Sequence, residues 1–260
     1  MLMSEMISVI EQFCPPSFAE DWDNVGLIAG RSDKEVRKVI VALDATSEVV
    51  DEAVRSGADA LVTHHPLIFG GIKKVNDNDF VGRRILALIQ NDISYYAMHT
   101  NFDVMGMADA AADAMNLQDR EVLEVTFKDD ISHEGLGRIG TLPEHMPLSD
   151  CAPYVRDVFY IPNVRVYGDL NQPIVTTAIL PGSGHEEIDL AVKANADVMI
   201  TGDISHHNGI DAVEKGIAVI DAGHYGLEKI FIPYMKDFFG RELPEIEVIE
   251  SKQTEPFTEI

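Results

Sequence analysis

Ala53-Val54-Arg55-Ser56-Gly57-Ala58-Asp59-Ala60-Leu61-Val62-Thr63 runs directly into His64-His65-Pro66. Ala58, Ala60, Leu61 and Val62 read as a short buried strand, and Pro66, with no N–H to donate, forbids its continuation. The two imidazoles therefore fall in the turn after a strand's carboxyl end, where open α/β sheets place their ligands. Neighbouring side chains diverge in an extended or turning backbone, so two such histidines serve two points in space more easily than one. That suits two metal ions side by side. Taken alone, the pair reads more simply as one structural and one surface histidine; the rest of the chain shifts the balance.

The same stretch returns without gaps as Ala191-Val192-Lys193-Ala194-Asn195-Ala196-Asp197-Val198-Met199-Ile200-Thr201. Upstream, Val39-Ile40-Val41-Ala42-Leu43 corresponds to Val175-Thr176-Thr177-Ala178-Ile179. Downstream, a strand over Ile93–Met98 leads to His99-Thr100-Asn101-Phe102-Asp103, and one over Ile217–Asp221 leads to His224-Tyr225-Gly226-Leu227-Glu228. Both halves thus end a strand with His-x-x-x-acid. This reads as a duplication of an α/β half rather than a solenoid array, beside the simpler reading of chance similarity between βαβ sequences.

Helices alternate with these strands. The pattern predicts one over Ser4–Phe13, ended by Pro15-Pro16, and one over Glu48–Ser56, with caps offered by Asp44-Ala45-Thr46-Ser47 and a stop at Gly57. Others fall at Arg83–Asn91, Leu148–Phe159 and Tyr225–Tyr234, the last running up to Pro233. Alternation of this length indicates βαβ units and largely parallel sheets. Thr126–Ile139, rich in glycine and charge, reads as a loop entering a new strand, and Gln253–Ile260 as a frayed tail. The expected division is a first, metal-binding α/β domain over 1–128 rejoined by 223–260, because His224 needs to reach His65, with a second α/β domain over 129–222.

The bulk composition narrows the function. The chain has 260 residues, 46% of them hydrophobic, enough for one large or two modest domains with full cores. No apolar run approaches the roughly 18 residues of a membrane span. The start, Met1-Leu2-Met3-Ser4-Glu5-Met6, lacks the basic region and cleavage signature of a secretory leader. Two distant cysteines, Cys14 and Cys151, fit a reducing cytoplasm and give neither a disulfide framework nor a Cys-based zinc site. A net charge of −24 repels phosphate backbones, so nucleic acid and anionic membranes are poor partners.

Four clusters able to do chemistry follow strand ends: His64-His65, His99 with Asp103, Asp203 with His206-His207, and His224 with Glu228. Imidazole and carboxylate together suit zinc, iron or manganese. The spacing of four between His224 and Glu228 puts both on one face if a helix starts there. Asp103, Asp203 and Thr100 are also good helix N-caps. His206 and His207 are open between ligand, orienting and substrate-contact roles.

Together, Trp22-Asp23-Asn24-Val25-Gly26-Leu27, Thr63-His64-His65-Pro66, His99-Thr100-Asn101-Phe102-Asp103, Thr201-Gly202-Asp203, and His224 with Glu228 resemble the GTP cyclohydrolase I type 2 family, also called NGG-interacting-factor-like proteins. The likeness spans nearly the whole chain. It implies a two-metal site built from His64, His65, Asp103, His224 and Glu228, two interleaved α/β domains, and a toroidal homohexamer with its sites facing an inner cavity. The length implies the core form, without the large insert some members carry. Two departures are visible. His206-His207 stands where the family often has Tyr-His, and Tyr225-Gly226-Leu227 replaces a stretch that frequently carries another aromatic or histidine and a serine. The ligand spacing survives.

Five ligands for two divalent ions leave positions for water, which metal binding acidifies enough to supply hydroxide near neutral pH. Glu228, at the end of the closing segment, is the natural bridging carboxylate for ions ~3.5–4 Å apart. His99 is then a catalytic candidate, a proton shuttle or an orienting group, beside the simpler reading of a satisfied strand-end histidine. The expected activity is hydrolysis at GTP or a related nucleotide. There is no P-loop and no basic cluster, and Lys73-Lys74 reads as solvated surface. The alternative is a non-enzymatic metal-binding protein: a store, chaperone or regulatory partner.

Overall fold

The strand that ends in the histidine pair, Ala60–Thr63, is buried at all four residues. Its preceding helix begins where Thr46 Oγ1 accepts the Val49 N–H at 3.2 Å and ends at Gly57 in the left-handed conformation, φ 64°. The cap is therefore Thr46, and Asp44 is released for another task.

The computed structural model describes residues 1–258. In chain order it contains α1 (Met3–Phe13), β1 (Gly26–Ala29), β2 (Lys38–Ala42), α2 (Ser47–Ser56), β3 (Ala60–Thr63), α3 (Phe80–Gln90), β4 (Ser94–Ala97) and the single turn α4 (Thr100–Phe102). A π-turn over Asp103–Met107 leads into α5 (Ala108–Ala114), β5 (Gln118–Lys128), β6 (His133–Pro147), α6 (Leu148–Val158) and β7 (Arg165–Tyr167). Then come β8 (Pro173–Ser183), α7 (Ile188–Lys193), β9 (Val198–Gly202), α8 (His206–Glu214), β10 (Ala218–Asp221), α9 (His224–Glu228), α10 (Phe231–Glu242) and β11 (Glu247–Glu250).

The chain forms two compact units, Met1–Phe102 with Phe231 onward, and Asp103–Ile230. The crossings fall at Phe102/Asp103 and Ile230/Phe231, rather than at the boundaries near residues 128 and 223 expected from the need of His224 to reach His65. The β5 strand is hydrogen-bonded along β6, and α9 packs on β8 and β9, so both belong with the second sheet.

The first unit's sheet has the order β1-β4-β3-β2-β11. The pairings β4/β3, β3/β2 and β2/β11 are parallel, and β1 is an antiparallel edge. Ile40, Ala42, Leu61, Tyr95 and Ala97 pack with Val49, Val50, Ala53 and Leu88 of α2 and α3. Alternate residues Val39, Val41, Val62 and Tyr96 are equally buried, and Tyr96 Oη donates to Glu11 of α1 at 3.2 Å. Each such fully buried aliphatic or aromatic side chain contributes about 1.5–3 kcal/mol.

The second unit's sheet has the order β5-β6-β8-β9-β10-β7. Only β8/β9 and β9/β10 are parallel; β5/β6, β6/β8 and β7/β10 are antiparallel. The sheets are therefore mixed, and the second is not largely parallel as the strand–helix alternation implies. The cause is the segment expected as a loop, which is a long hairpin. Gly135 permits it, because a Cβ there would collide with the Glu124 carbonyl on the paired strand. Alternation along the central strands serves two cores. Val198, Ile200, Ala218 and Ile220 face α5 and α6, while Met199 and Val219 face α7 and α8.

Two further expectations change. Pro233 does not end a helix; it sits third in α10, inside the first turn where its missing N–H costs nothing. The tail is not frayed from its start, because Gln253 is tied to the end of β2 by three hydrogen bonds.

Candidate metal centre

Thr63 ends β3, and its Oγ1 donates to the His65 carbonyl at 2.7 Å. Tyr95 of β4 donates its hydroxyl to that carbonyl at 3.0 Å and accepts the Leu67 N–H at 2.8 Å. The turn carrying both histidines is thus fixed by the side chains of the two adjacent strands. His64 is fully buried against the rings of Phe102 and Phe231, at 6.2 and 5.5 Å between centroids. His99, one residue beyond Met98 at the end of β4, has its ring centroid 5.2 Å from His64 and 5.5 Å from His65. Ligand atoms of His64, His65 and His99 all lie within 4.8 Å of one another.

Each of these rings is held at Nδ1. His64 Nδ1 meets the Met98 carbonyl at 2.9 Å, His65 Nδ1 meets Asp44 Oδ1 at 2.8 Å, and His99 Nδ1 meets Asp23 Oδ1 at 2.9 Å. Carbonyl and carboxylate oxygens only accept, so in the neutral rings Nδ1 carries the proton and Nε2 the lone pair. This is how metal-binding imidazoles are commonly oriented. Asp23 also accepts from the Thr100 N–H at 3.0 Å and the Thr100 hydroxyl at 2.5 Å. Burial pushes its carboxyl up, but the hydrogen bonds from His99 and Thr100 and the His99 charge outweigh that and hold it at about 2.

The second unit assembles its own group. Glu228 is buried and lies one turn after His224, with Oε2 3.0 Å from His224 Nε2. His224 Nδ1 meets Asp203 Oδ2 at 2.8 Å. Asp203 holds that position from a left-handed backbone, φ 58°, a strain that concentrates at functional sites. Gly182 makes room for the carboxylate: a Cβ there would lie 2.6 Å from Glu228 Oε1. Asp103 opens the π-turn, and its carboxylate comes within 4.8 Å of that of Glu228.

The donor set fits divalent metal. With Nδ1 protonated, His224 Nε2 and Glu228 Oε2 are two acceptors at 3.0 Å, which repel unless a cation or proton lies between them. Imidazole with carboxylate is the donor chemistry of zinc, iron and manganese. His206 and His207 sit on the exposed first turn of α8 and, among the described residues, join no such group.

Three residues with a clear role in the geometry were not legible in the sequence. Asp44 reads as a helix cap, Asp203 is grouped with His206-His207 or read as a cap, and Asp23 is only part of a motif; each anchors an imidazole. The available signal was an acid at a strand end beside a histidine at the neighbouring strand end, which periodicity alone does not pair.

The family model for Duf34/NIF3 (NGG1p interacting factor 3) matches residues 1–256. A GTP cyclohydrolase 1 type 2 homolog from Clostridium perfringens is 34% identical over 261 residues, covering 99% of each chain. A crystal structure of a Staphylococcus aureus hypothetical protein superposes with a TM-score of 0.90 at 34% identity, covering 100% of this chain and 99% of that one. A Bacillus cereus protein related to NIF3 superposes at 0.91 with 26% identity and the same coverage. With near-complete coverage in sequence and in fold, the chain belongs to the Duf34/NIF3 (NGG1p interacting factor 3) family.

Proposed function

We propose that this chain is a dinuclear, divalent-metal-dependent hydrolase acting on GTP or a related nucleotide. Its ligands are His64, His65, Asp103, His224 and Glu228. The observation that carries the reading is the shared orientation of His64, His65, His99 and His224: every Nδ1 rests on an acceptor oxygen. Such anchoring fixes the tautomer and raises the basicity of the ligand nitrogen. The substrate class comes from the name that the relatives carry, GTP cyclohydrolase 1 type 2 homolog.

Divalent ions bound to this set supply Lewis acidity and lower the pKa of coordinated water. The chain's own residues do the rest. His99, oriented by Asp23, takes or returns a proton at Nε2. The ring centroids of Trp22 and Phe69 lie 5.8 and 5.7 Å from that of His99 in edge-on arrangements, and both side chains are exposed, which suits a planar heteroaromatic ring. A phosphate-bearing substrate meets a chain of net charge −24, so the cations that offset the repulsion are the metals themselves. Among the described residues no helix is long and apolar enough to cross a membrane.

The family resemblance extends the proposal to a toroidal homohexamer and to an origin of both units by duplication. Light scattering is expected to give six times the 28.7 kDa chain mass. The activity is tested by elemental analysis of protein purified without added metal, followed by a nucleotide screen on the same material. The expected result is about two divalent ions per chain and turnover that His65→Ala abolishes. His99→Ala retains the metal but loses about 10²–10⁴-fold in rate. Equal turnover in native protein and His65→Ala overturns the hydrolase. The family's name as an interacting factor supports a second reading, a non-enzymatic metal-binding protein. Full metal occupancy with no turnover of any nucleotide selects it.

A further inference from the structure

The C-terminal segment reaches back to the candidate metal centre. Parallel pairing brings Glu250 alongside Val41, and the Ser251 N–H continues the ladder by donating to the Val41 carbonyl at 2.8 Å. Ser251 Oγ and the Lys252 N–H both donate to Glu52 Oε2, at 3.0 and 3.2 Å, pinning the segment to α2. The next residue is Gln253. Its Oε1 accepts the N–H groups of Leu43 and Asp44, at 3.2 and 2.9 Å, the two backbone donors just beyond the end of β2. Its Nε2 donates to Asp44 Oδ2 at 2.6 Å. The other oxygen of that carboxylate, Oδ1, holds His65 Nδ1 at 2.8 Å.

We propose that Gln253 is a positioning residue for His65, acting through Asp44, so that the C-terminal segment is a latch on the metal centre. The chain of hydrogen bonds has one direction. Two N–H groups feed the amide oxygen, which polarises the amide N–H toward Asp44. Asp44 in turn has a partner on each oxygen, so its carboxylate plane is set and the imidazole follows it. The His65 N–H donates to the Leu43 carbonyl at 2.9 Å, so backbone and side chain of this histidine take their register from the same two residues that Gln253 clamps. The other anchors are held without the C-terminal segment: Met98 directly follows β4, Asp23 is held by Thr100, and Asp203 takes a left-handed backbone. His65, by contrast, is held through a residue from the chain's far end, about 190 positions away in sequence.

The proposal rests on the reading of His65 as a metal ligand, and two measurements keep the two apart. The first is made without metal. Nitrogen-15 NMR of the histidine rings in the full chain is expected to show a protected His65 Nδ1–H, which Gln253→Ala exchanges at least 10-fold faster while the His64 and His99 signals stay in place. The second is zinc affinity by chelator competition. Removal of a partner behind a ligand typically costs 10–100-fold, so Asp44→Ala is expected to weaken zinc by that factor and Gln253→Ala by about 10-fold. Gln253→Ala adds nothing further in the Asp44→Ala background, because both remove one pathway. Gln253→Glu, which keeps the acceptor but sets a second carboxylate against Asp44, is expected to weaken zinc at least as much as alanine.

A Gln253→Ala protein with a lower melting temperature, unchanged ring exchange and unchanged zinc affinity overturns the latch and leaves the tail with a structural role. Additive losses in the double variant also overturn it. A protein that binds no zinc in any form, with the ring-exchange result intact, overturns the ligand reading and keeps the latch.

Discussion

Asp59 Oδ2 accepts the backbone N–H groups of Arg37 and Lys38 at 2.8 and 3.0 Å; Asp197 Oδ2 accepts those of Val175 and Thr176, both at 2.9 Å. Thr63 is the last residue of β3 and Thr201 the last but one of β9, each strand flanked on both sides by parallel neighbours, and their carbonyls receive the N–H groups of Met98 and Ala222. In these contacts the first and second units match. Beyond them the two diverge. The first places two histidines directly after its threonine and fixes their turn through Tyr95. The second places Gly202 and Asp203 there, and Thr201 instead ties down the turn at Gly182 and Gly184, accepting the Gly184 N–H at 2.9 Å. The frame is therefore indifferent to chemistry. What each unit can bind is decided by the two or three residues after the strand ends, and by which turn the threonine holds still.

The sharpest way to break this comparison is a methyl group. Gly182 and Gly57 both have positive φ, 82° and 64°, but a Cβ on Gly57 would meet nothing within 4 Å, whereas one on Gly182 would strike Glu228 Oε1 at 2.6 Å. Gly57→Ala is expected to cost only left-handed strain, about 1–2 kcal/mol. Gly182→Ala adds overpacking against a buried carboxylate, for about 3 kcal/mol or more in all. It also displaces Glu228, so zinc affinity falls in Gly182→Ala and stays unchanged in Gly57→Ala. Urea melts and chelator competition on the two variants measure both. Equal zinc affinities in the pair would show that the Gly182 turn has no bearing on the carboxylate.

A second comparison tests the likeness of the frames. Asp59→Ala and Asp197→Ala each strip two backbone N–H groups of a charged acceptor, and each is expected to cost about 2–3 kcal/mol. Chemical denaturation checks this, with the melt read in two probes because two units need not unfold together. Costs differing by more than about 1 kcal/mol would mean that the matched geometry conceals different packing.

Much of this frame is legible in the amino acids. The buried strands at Val39, Ala60 and Val198, the Gly57 stop and the recurrence of Ala53–Thr63 at Ala191–Thr201 all announce themselves through local pattern. So do His64, His65 and His99, because a histidine after an apolar run is locally conspicuous, and the structure does bring these three together. Non-local pairing is what escapes. Gly135 looks like loop punctuation because the carbonyl that forbids a side chain there belongs to Glu124 on another strand. Asp44 looks like a cap because its partner, His65, lies on the next strand. Gln253 looks like the start of a tail because the partners of its side-chain amide, Leu43 and Asp44, lie near the other end of the chain. Pro233 looks like a terminator because its place in the first turn of α10 depends on where α9 stops.

The gentlest test uses acid, and it separates the units by the sign of their carboxyl shifts. Asp23 in the first unit is held at about 2, below its ordinary value, so its contribution to stability is complete above about pH 4. That contribution is lost as pH falls from about 4 through 2, and amounts to about 2 kcal/mol. Asp221 and Glu187 in the second unit are shifted the other way, in both cases chiefly by burial. A raised carboxyl destabilises the folded form when ionised, so acid relieves rather than penalises the second unit at these two positions. Trp22, the single tryptophan, reports on the first unit alone. Its fluorescence transition on acidification is therefore expected at higher pH than the loss of helical circular dichroism, to which the second unit contributes. Asp23→Asn removes the titrating group and flattens the fluorescence-detected stability between pH 4 and 2. A fluorescence transition that keeps its full pH slope in Asp23→Asn would place the acid sensitivity of the first unit somewhere other than the carboxylate that anchors His99.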